Sequence, residues 1–272
     1  MIVKNVLCTL IVMNIIFIFI LLIIIKNNIK LGFDINKNYM DGVDIIYWIN
    51  LDRSQDRRTH MEKLLKEPEF KNVKHQRFPA IDGKNMDLSV FFDSEQKDKI
   101  NDSNKSEYAC LLSHLETIRI FSESYYNNAL IFEDDVTMDL KHYWNKSIRE
   151  IIKEAPNDWE IIQLCYINVN GGKMGETFNH WFPSTAAYII NKKGAKHLMN
   201  LKENNIYNLT KHNVDTSHSD MFIYSYLKTY CYQYPMFVYK KNNDSLLHDY
   251  DLIGHEISRE LLLDMYKKEE QK

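Results

Sequence analysis

The chain has 272 residues, a formal net charge of −3, 45% hydrophobic and 26% charged residues. That length suits one domain of ordinary size with appendages, and the apolar share is enough for a core. The near-neutral balance excludes a general nucleic-acid binder, which needs a basic face.

In chain order, residues 6–25 come first, apolar except for Cys8, Thr9 and Asn14. Such a run can span a bilayer as a helix. No small-x-small cleavage site follows it, so an uncleaved signal anchor is expected over a cleaved signal. Lys4 and the amino terminus flank one side, Lys26 and Lys30 the other, so charge does not fix the orientation. The expected organisation is an anchor within 1–30, a short polar stem at 31–42, a main domain at 43–255 and a charged helical tail at 256–272. The cysteines (Cys8, Cys110, Cys165 and Cys231) are widely separated and form no C-x-x-C pair. Their spacing writes neither a disulfide framework nor a zinc site. N-x-S/T sequons occur at Asn101, Asn104, Asn145, Asn208 and Asn243, and would matter in a lumenal domain.

Residues 43–49 (VDIIYWI) predict a buried strand. It ends in Asn50-Leu51-Asp52-Arg53-Ser54, and a polar helix with Arg57, Arg58, Met61, Leu64 and Leu65 follows. In such a β–turn–α unit the carboxyl end of the strand is the usual ligand edge. A second strand is expected at 78–83 and a mobile charged loop at 94–104. Ser106 can cap the next helix. That helix puts Leu111, Leu115 and Ile118 on one face, and Cys110, His114 and Thr117 on a more polar one. Further strands are expected at 129–132, 160–166, 184–190 and 236–239. Helices are expected after Lys193-Gly194, over 220–227 and from Ser258. Strands alternating with helices imply an α/β sandwich with a mainly parallel sheet. There is no P-loop and no G-x-G-x-x-G fingerprint.

The most informative stretch is the apolar run at 129–132 and the three carboxylates that follow it, Glu133, Asp134 and Asp135. Acids at the end of a buried strand repel one another and cost desolvation. A divalent cation, a nearby Arg or Lys, or solvent must offset them. Hard cations such as Mg²⁺ and Mn²⁺ take carboxylate oxygens and bridge to substrate phosphates. The alternative is an exposed acidic turn, or a cap for the next helix.

Five blocks in order resemble glycosyltransferase family 25, which includes lipopolysaccharide galactosyltransferases and collagen hydroxylysine galactosyltransferases. They are Ile49-Asn50-Leu51-Asp52-Arg53-Ser54 with Arg57-Arg58; Ala80-Ile81-Asp82-Gly83; the helix block from Glu107 through Cys110 to Ser113-His114; Ile131-Phe132-Glu133-Asp134-Asp135; and Ala187-Tyr188-Ile189-Ile190 with Lys193-Gly194-Ala195. The resemblance spans about 43–248. Two positions depart from it. Ser106 stands where the family has Gly before the Glu of the helix block. Ser184-Thr185-Ala186 replaces a Gly expected before the Tyr188 strand.

The resemblance implies a GT-A-like nucleotide-diphospho-sugar transferase fold with helices on both faces of its sheet, behind the transmembrane helix. It implies transfer of a hexose, galactose or glucose, from a UDP-sugar, with inversion. The acceptor would be a glycan, a glycoprotein, a lipid-linked glycan or a collagen-like chain. With the anchor, it implies a single-pass type II membrane protein of the ER or Golgi. An inactive relative that binds glycans or partners is the competing reading. Within the resemblance, Asp135 is the metal ligand for Mn²⁺ or Mg²⁺, Asp134 a second ligand or water anchor, and Glu133 a donor contact. Asn50, Asp52 and Arg53 end the first strand, where the nucleotide would lie. Arg57 or Arg58 would reach the diphosphate, and Asp82 the base or ribose. Ser113 and His114 would serve the substrate site. Asp220 is the candidate catalytic base with Asp215 its rival, and His248 is a candidate third metal ligand.

Overall fold

Strand β1 (Ile45–Asn50) is buried at all six positions, the mark of a strand covered on both faces. Its neighbours β2 (Lys74–Pro79) and β3 (Asn128–Glu133) run parallel to it. The structure is a computed structural model and describes residues 13–19, 34–169, 176–211, 216–240 and 252–270. The later strands are β4 (Val136–Thr137), β5 (Ile161–Gln163), β6 (Phe178–Asn179), β7 (Ala187–Asn191), β8 (Lys202–Glu203), β9 (Ile206–Tyr207), β10 (Thr229–Tyr232) and β11 (Val238–Tyr239). Seven strands make one sheet in the order β2-β1-β3-β7-β5-β10-β6. The pairs β4–β11 and β8–β9 stand apart from it.

The main helices are α1 (Gln55–Leu64), α2 (Lys105–Glu123), α3 (Ile148–Glu154), α4 (Lys192–Leu198), α5 (Ser219–Tyr226) and α6 (Leu252–Glu270). Alternate sheet residues feed two apolar layers, as a period of two requires. Ile46, Trp48, Leu130, Phe132 and Ile189 pack against Met61 of α1 and Ile148 and Ile151 of α3. Ile45, Tyr47, Ile131, Tyr188 and Ile190 pack against Leu111, Leu115 and Ile118 of α2, with Leu198 of α4 and Phe222 of α5. Each fully buried aliphatic side chain of this kind contributes about 1.5–3 kcal/mol. That apolar stripe seats α2 on the sheet and turns its Cys110–His114 face toward the end of β3.

Several expectations change. The sheet is mixed, not mainly parallel: β7 is antiparallel to both β3 and β5, and β6 to β10. A β-branched run reads alike in either direction, because direction depends on where the chain re-enters. The expected strand at 78–83 forms earlier, at Lys74–Pro79, and the strand at 229–232 was not expected. The strand at the end of the domain pairs with β4, outside the large sheet. The supposed mobile loop holds a helical turn at Ser94–Lys97 capped by Asp93, and its buried Gln96 donates to Tyr108 Oη at 2.5 Å. Asn104, not Ser106, stands before the first turn of α2.

The transmembrane helix ahead of the domain is also corrected. Among the described residues no helix is long and apolar enough to cross a membrane. Within the expected span, the described part is a helix at 13–19, and 6–12 and 20–25 lie outside the described residues. The single-pass placement in the ER or Golgi rested on that helix and is not supported.

Candidate active site

Three strand ends meet at one edge of the sheet. Ile49 of β1 lies opposite Glu133 of β3, and antiparallel β7 begins there with Ala187 opposite Phe132. A cavity of about 490 Å³ opens at this edge. Its walls come from the end of β1, from α1, from the Ala80–Gly83 turn and from the polar face of α2. The acid trio, the 183–185 segment, the start of α5 and His255 of α6 complete it.

The acids are offset from within the protein. Arg57 Nη1 donates to Asp134 Oδ1 at 2.9 Å and to Asp135 Oδ2 at 3.3 Å. Asn50 Nδ2 donates to Asp134 Oδ2 at 2.7 Å. Asn50 is itself fixed by Arg77, which donates to its side-chain oxygen and to its carbonyl, both at 2.9 Å. Each oxygen of Asp134 is thus engaged by the protein. Burial pulls the Arg57 pKa down, but the charges of Asp135 and Asp134 outweigh it and leave it raised.

Glu133 belongs to a second network. Its Oε1 accepts from Thr185 Oγ1 at 2.6 Å and lies 3.2 Å from His114 Nε2. His114 Nδ1 lies 3.0 Å from Tyr188 Oη. With Nε2–H donating to Glu133, the tyrosine hydroxyl donates to Nδ1. Burial pushes the Glu133 pKa up. The bonds from His114 and Thr185 and the Arg57 charge more than offset that, so the carboxyl titrates below its usual range and is ionised at neutral pH. Beside it, burial pushes the Cys110 thiol pKa far up.

Ser184 marks the facing wall. Its φ is +116°, in the region that favours glycine. Its amide donates to Asp220 Oδ2 at 2.8 Å, and its carbonyl accepts from Gln163 Nε2 and Tyr224 Oη, both at 2.8 Å. Its hydroxyl oxygen accepts from Ala186 N at 3.0 Å. These bonds hold a conformation that costs a non-glycine residue about 1–3 kcal/mol. It falls in the segment where the resemblance expects a glycine.

The remaining expected residues divide. Arg53 and Asp82 line the cavity and pair with each other at 2.9 Å. The Arg53 hydrogen bond is the main reason the Asp82 pKa lies below its usual value. Gly83 lets this turn lie on α2, since a Cβ there would meet Lys105 O at 2.7 Å. Ser113 spends its hydroxyl on structure, donating to Ala109 O at 2.7 Å and accepting from Ile81 N at 2.9 Å. Asp52 is outside the cavity lining, exposed and paired with Arg77 at 2.6 Å. His248 and Asp215 lie outside the described residues. Arg77, Thr185, Tyr188 and His255 were not expected from the sequence. His255 stacks on Tyr239 with ring centroids 4.7 Å apart. Thr185 and Tyr188 fall in segments singled out from the sequence, but no local pattern announces the contacts that any of the four makes.

Glycosyltransferase family 25 (LPS biosynthesis protein) is the family whose model matches, over residues 43–218. The chain is 25% identical over 179 residues to procollagen galactosyltransferase 1-A of Xenopus laevis, covering 58% of this chain and 28% of that protein. It is 27% identical over 180 residues to procollagen galactosyltransferase 2 of Homo sapiens, with the same shares of 58% and 28%. The chain therefore spans little more than a quarter of the length of these relatives. Among solved structures, a glycosyltransferase involved in the glycosylation of the major capsid of PBCV-1 aligns with a TM-score of 0.34 at 10% identity, covering 58% of this chain and 64% of that one. Mouse xyloside xylosyltransferase 1 aligns with a TM-score of 0.28 at 12% identity, covering 59% and 57%. The matched stretch contains the Asn50, Asp82, Cys110–His114 and Glu133–Asp135 blocks gathered around the cavity, and the chain belongs to glycosyltransferase family 25.

Proposed function

We propose that this chain transfers a hexose from a UDP-sugar to a hydroxyl of a glycan, glycoprotein, lipid-linked or collagen-like acceptor, with inversion at the anomeric carbon. Galactose is the first choice, because the relatives are named galactosyltransferases. One observation carries the reading. The acid trio opens into a cavity where Asp82, Glu107, Glu133, Asp134, Asp135 and Asp220 outnumber Arg53 and Arg57. A nucleoside diphosphate is an anion, so it enters such a cavity best together with a cation.

The donor set fits Mn²⁺ or Mg²⁺, since carboxylate oxygen suits hard cations. Asp135 would be the protein ligand. Asp134, whose oxygens are committed to Arg57 and Asn50, would anchor the trio. One or two carboxylates plus phosphate and water is the common arrangement for Mg²⁺. When bound, the cation offsets the negative charge that grows on the departing diphosphate. Arg57 keeps the acids from repelling one another. The ionised Glu133, steadied by His114 and Thr185, accepts hydrogen bonds from the donor. Asp220 takes the proton of the acceptor hydroxyl as general base. Its oxygens each accept a backbone N–H, from Ser184 at 2.8 Å and Met221 at 2.7 Å, which fixes the carboxylate orientation while lone pairs remain for the acceptor.

Thermal-shift screening of the chain with UDP-hexoses, with and without Mn²⁺, tests this. A ligand bound only by the folded state raises stability by RT ln(1 + [L]/Kd). The expected result is a manganese-dependent shift with one UDP-hexose. Asp135→Ala is expected to lower transfer by about 10²–10³-fold, the scale for losing one transition-state contact, while the ligand-free Tm holds. No shift with any UDP-hexose under either condition would overturn the reading.

A further inference from the structure

We propose that Cys110, His114 and Glu133 form a second cation site, selective for a borderline-soft ion, Zn²⁺ above all, with a cavity water as fourth ligand. Cys110 and His114 stand four residues apart on α2, so the thiol and the imidazole share one helix face. Glu133 meets them from the end of β3. One donor atom from each lies within 4.8 Å of the others, and His114 Nε2 already lies 3.2 Å from Glu133 Oε1. Zinc bonds of about 2.0–2.3 Å place tetrahedral ligand atoms roughly 3.3–3.8 Å apart. Closing the site from a largest separation of 4.8 Å therefore takes about 1 Å of movement by this geometry. All three residues line the cavity, which supplies the entry path and the water.

The surrounding groups suit the ion. Metal-bound imidazoles donate their other N–H to an oxygen. Here the Tyr188 hydroxyl, 3.0 Å from Nδ1, can rotate to accept that proton and leave the Nε2 lone pair for the metal. Thr185 Oγ1, 2.6 Å from Glu133 Oε1, orients the carboxylate. Thiolate and imidazole favour Zn²⁺, whereas carboxylate oxygen favours Mg²⁺ and Mn²⁺. The all-oxygen acids two residues along the chain are therefore a site of different preference. Binding forms a zinc–sulfur bond and breaks the S–H bond, whose proton leaves to solvent. The imidazole only exchanges which nitrogen bears its proton. An ion held here ties down Glu133, so zinc and donor exclude each other; this last consequence rests on the function proposed above.

The test titrates the metal-free full chain with Zn²⁺, and with Co²⁺ as a spectroscopic stand-in. Expected are one ion bound at this site with release of one proton, and a thiolate-to-cobalt charge-transfer absorption. Cys110→Ser should abolish that absorption and weaken Zn²⁺ at least about 100-fold, beyond the 10–100-fold typical of changes to outer-layer partners. Asp135→Asn should leave both unchanged. In the wild-type chain, independent of any variant, Zn²⁺ but not Mg²⁺ should shield Cys110 from alkylation, read on the Cys110 peptide by mass spectrometry. Absence of the absorption overturns the proposal. So does binding that survives Cys110→Ser, or binding lost on Asp135→Asn but kept in Cys110→Ser.

Discussion

Two glutamate–histidine pairs among the described residues are built in opposite senses. In the first, His114 is fully buried, and its partner Glu133 is 28% exposed and faces the cavity. In the second, Glu160 is 3% exposed, and its partner His197 is 43% exposed at the surface. Glu160 also accepts from Lys228 N at 3.0 Å, and its body packs on Gly194, where a Cβ would meet Glu160 Cβ at 2.8 Å. Its carboxylate thus locks the start of β5 to α4 and to the residue before β10. The same two side chains line a cavity in one place and tie scaffold segments together in the other. Which member points outward decides the role, and the pairing alone carries no function.

Five substitutions would break or sharpen that contrast. The largest effect is expected from Arg57→Met. It leaves the largely buried Asp134 and Asp135 without their counter-charge, a loss of about 3–5 kcal/mol, read as a lower denaturation midpoint at constant m. A loss below about 1 kcal/mol, the surface-pair range, would mean that solvent already screens the acids. Next, Glu133→Gln should cut transfer by about 10²–10³-fold with the fold intact. Glu160→Gln should leave transfer within a few fold but cost about 1–3 kcal/mol of stability. Swapped outcomes would reverse the assignment of the two pairs. Gly194→Ala drives a methyl into Glu160 and should cost about 1–3 kcal/mol, again without loss of transfer; an activity loss equal to that of Glu133→Gln would show that the scaffold pair reaches the site.

The smallest effect belongs to the rim pair Arg53–Asp82, with Arg53 41% exposed. The folded pKa of Asp82 lies below the ordinary 3.8, chiefly through its Arg53 hydrogen bond. The pair therefore stabilises above that ordinary value, and the stabilisation is lost as pH falls through the lower folded value. For so open a pair it amounts to under about 1 kcal/mol. Melting curves of wild type and Asp82→Asn should converge on acidification. A gap that stays constant with pH would assign the Asp82 effect to its neutral bonds with Lys84 N and Asn85.

Much of this site could be read along the chain, and part could not. The acid trio, the end of β1 and the Cys110–His114 face each sit in one short segment whose local pattern announces it. Arg77, Thr185 and Tyr188 do not, because their roles exist only toward residues 27, 52 and 74 positions away. Ser113 illustrates the converse. Its place on a polar helix face suggested a substrate contact, yet its hydroxyl holds Ile81 and so sets the turn that carries Asp82. The widely spaced cysteines argued against zinc, since linear spacing cannot register a thiol, an imidazole and a carboxylate brought together from two elements.

By itself the sequence determined the buried strands β1, β3, β5 and β7, the apolar face of the long helix α2 and where the acids stand, because periodicity and burial are local properties of neighbouring residues. The tertiary structure decided the rest: that β7 runs antiparallel beside β3, that Arg57 answers the acids, that Ser184 is held at positive φ, and that one Glu–His pair turns its glutamate to a cavity while the other buries it. Strand direction, charge compensation and solvent access depend on contacts between segments far apart in the chain, and these exist only once the sheet has closed on its helices.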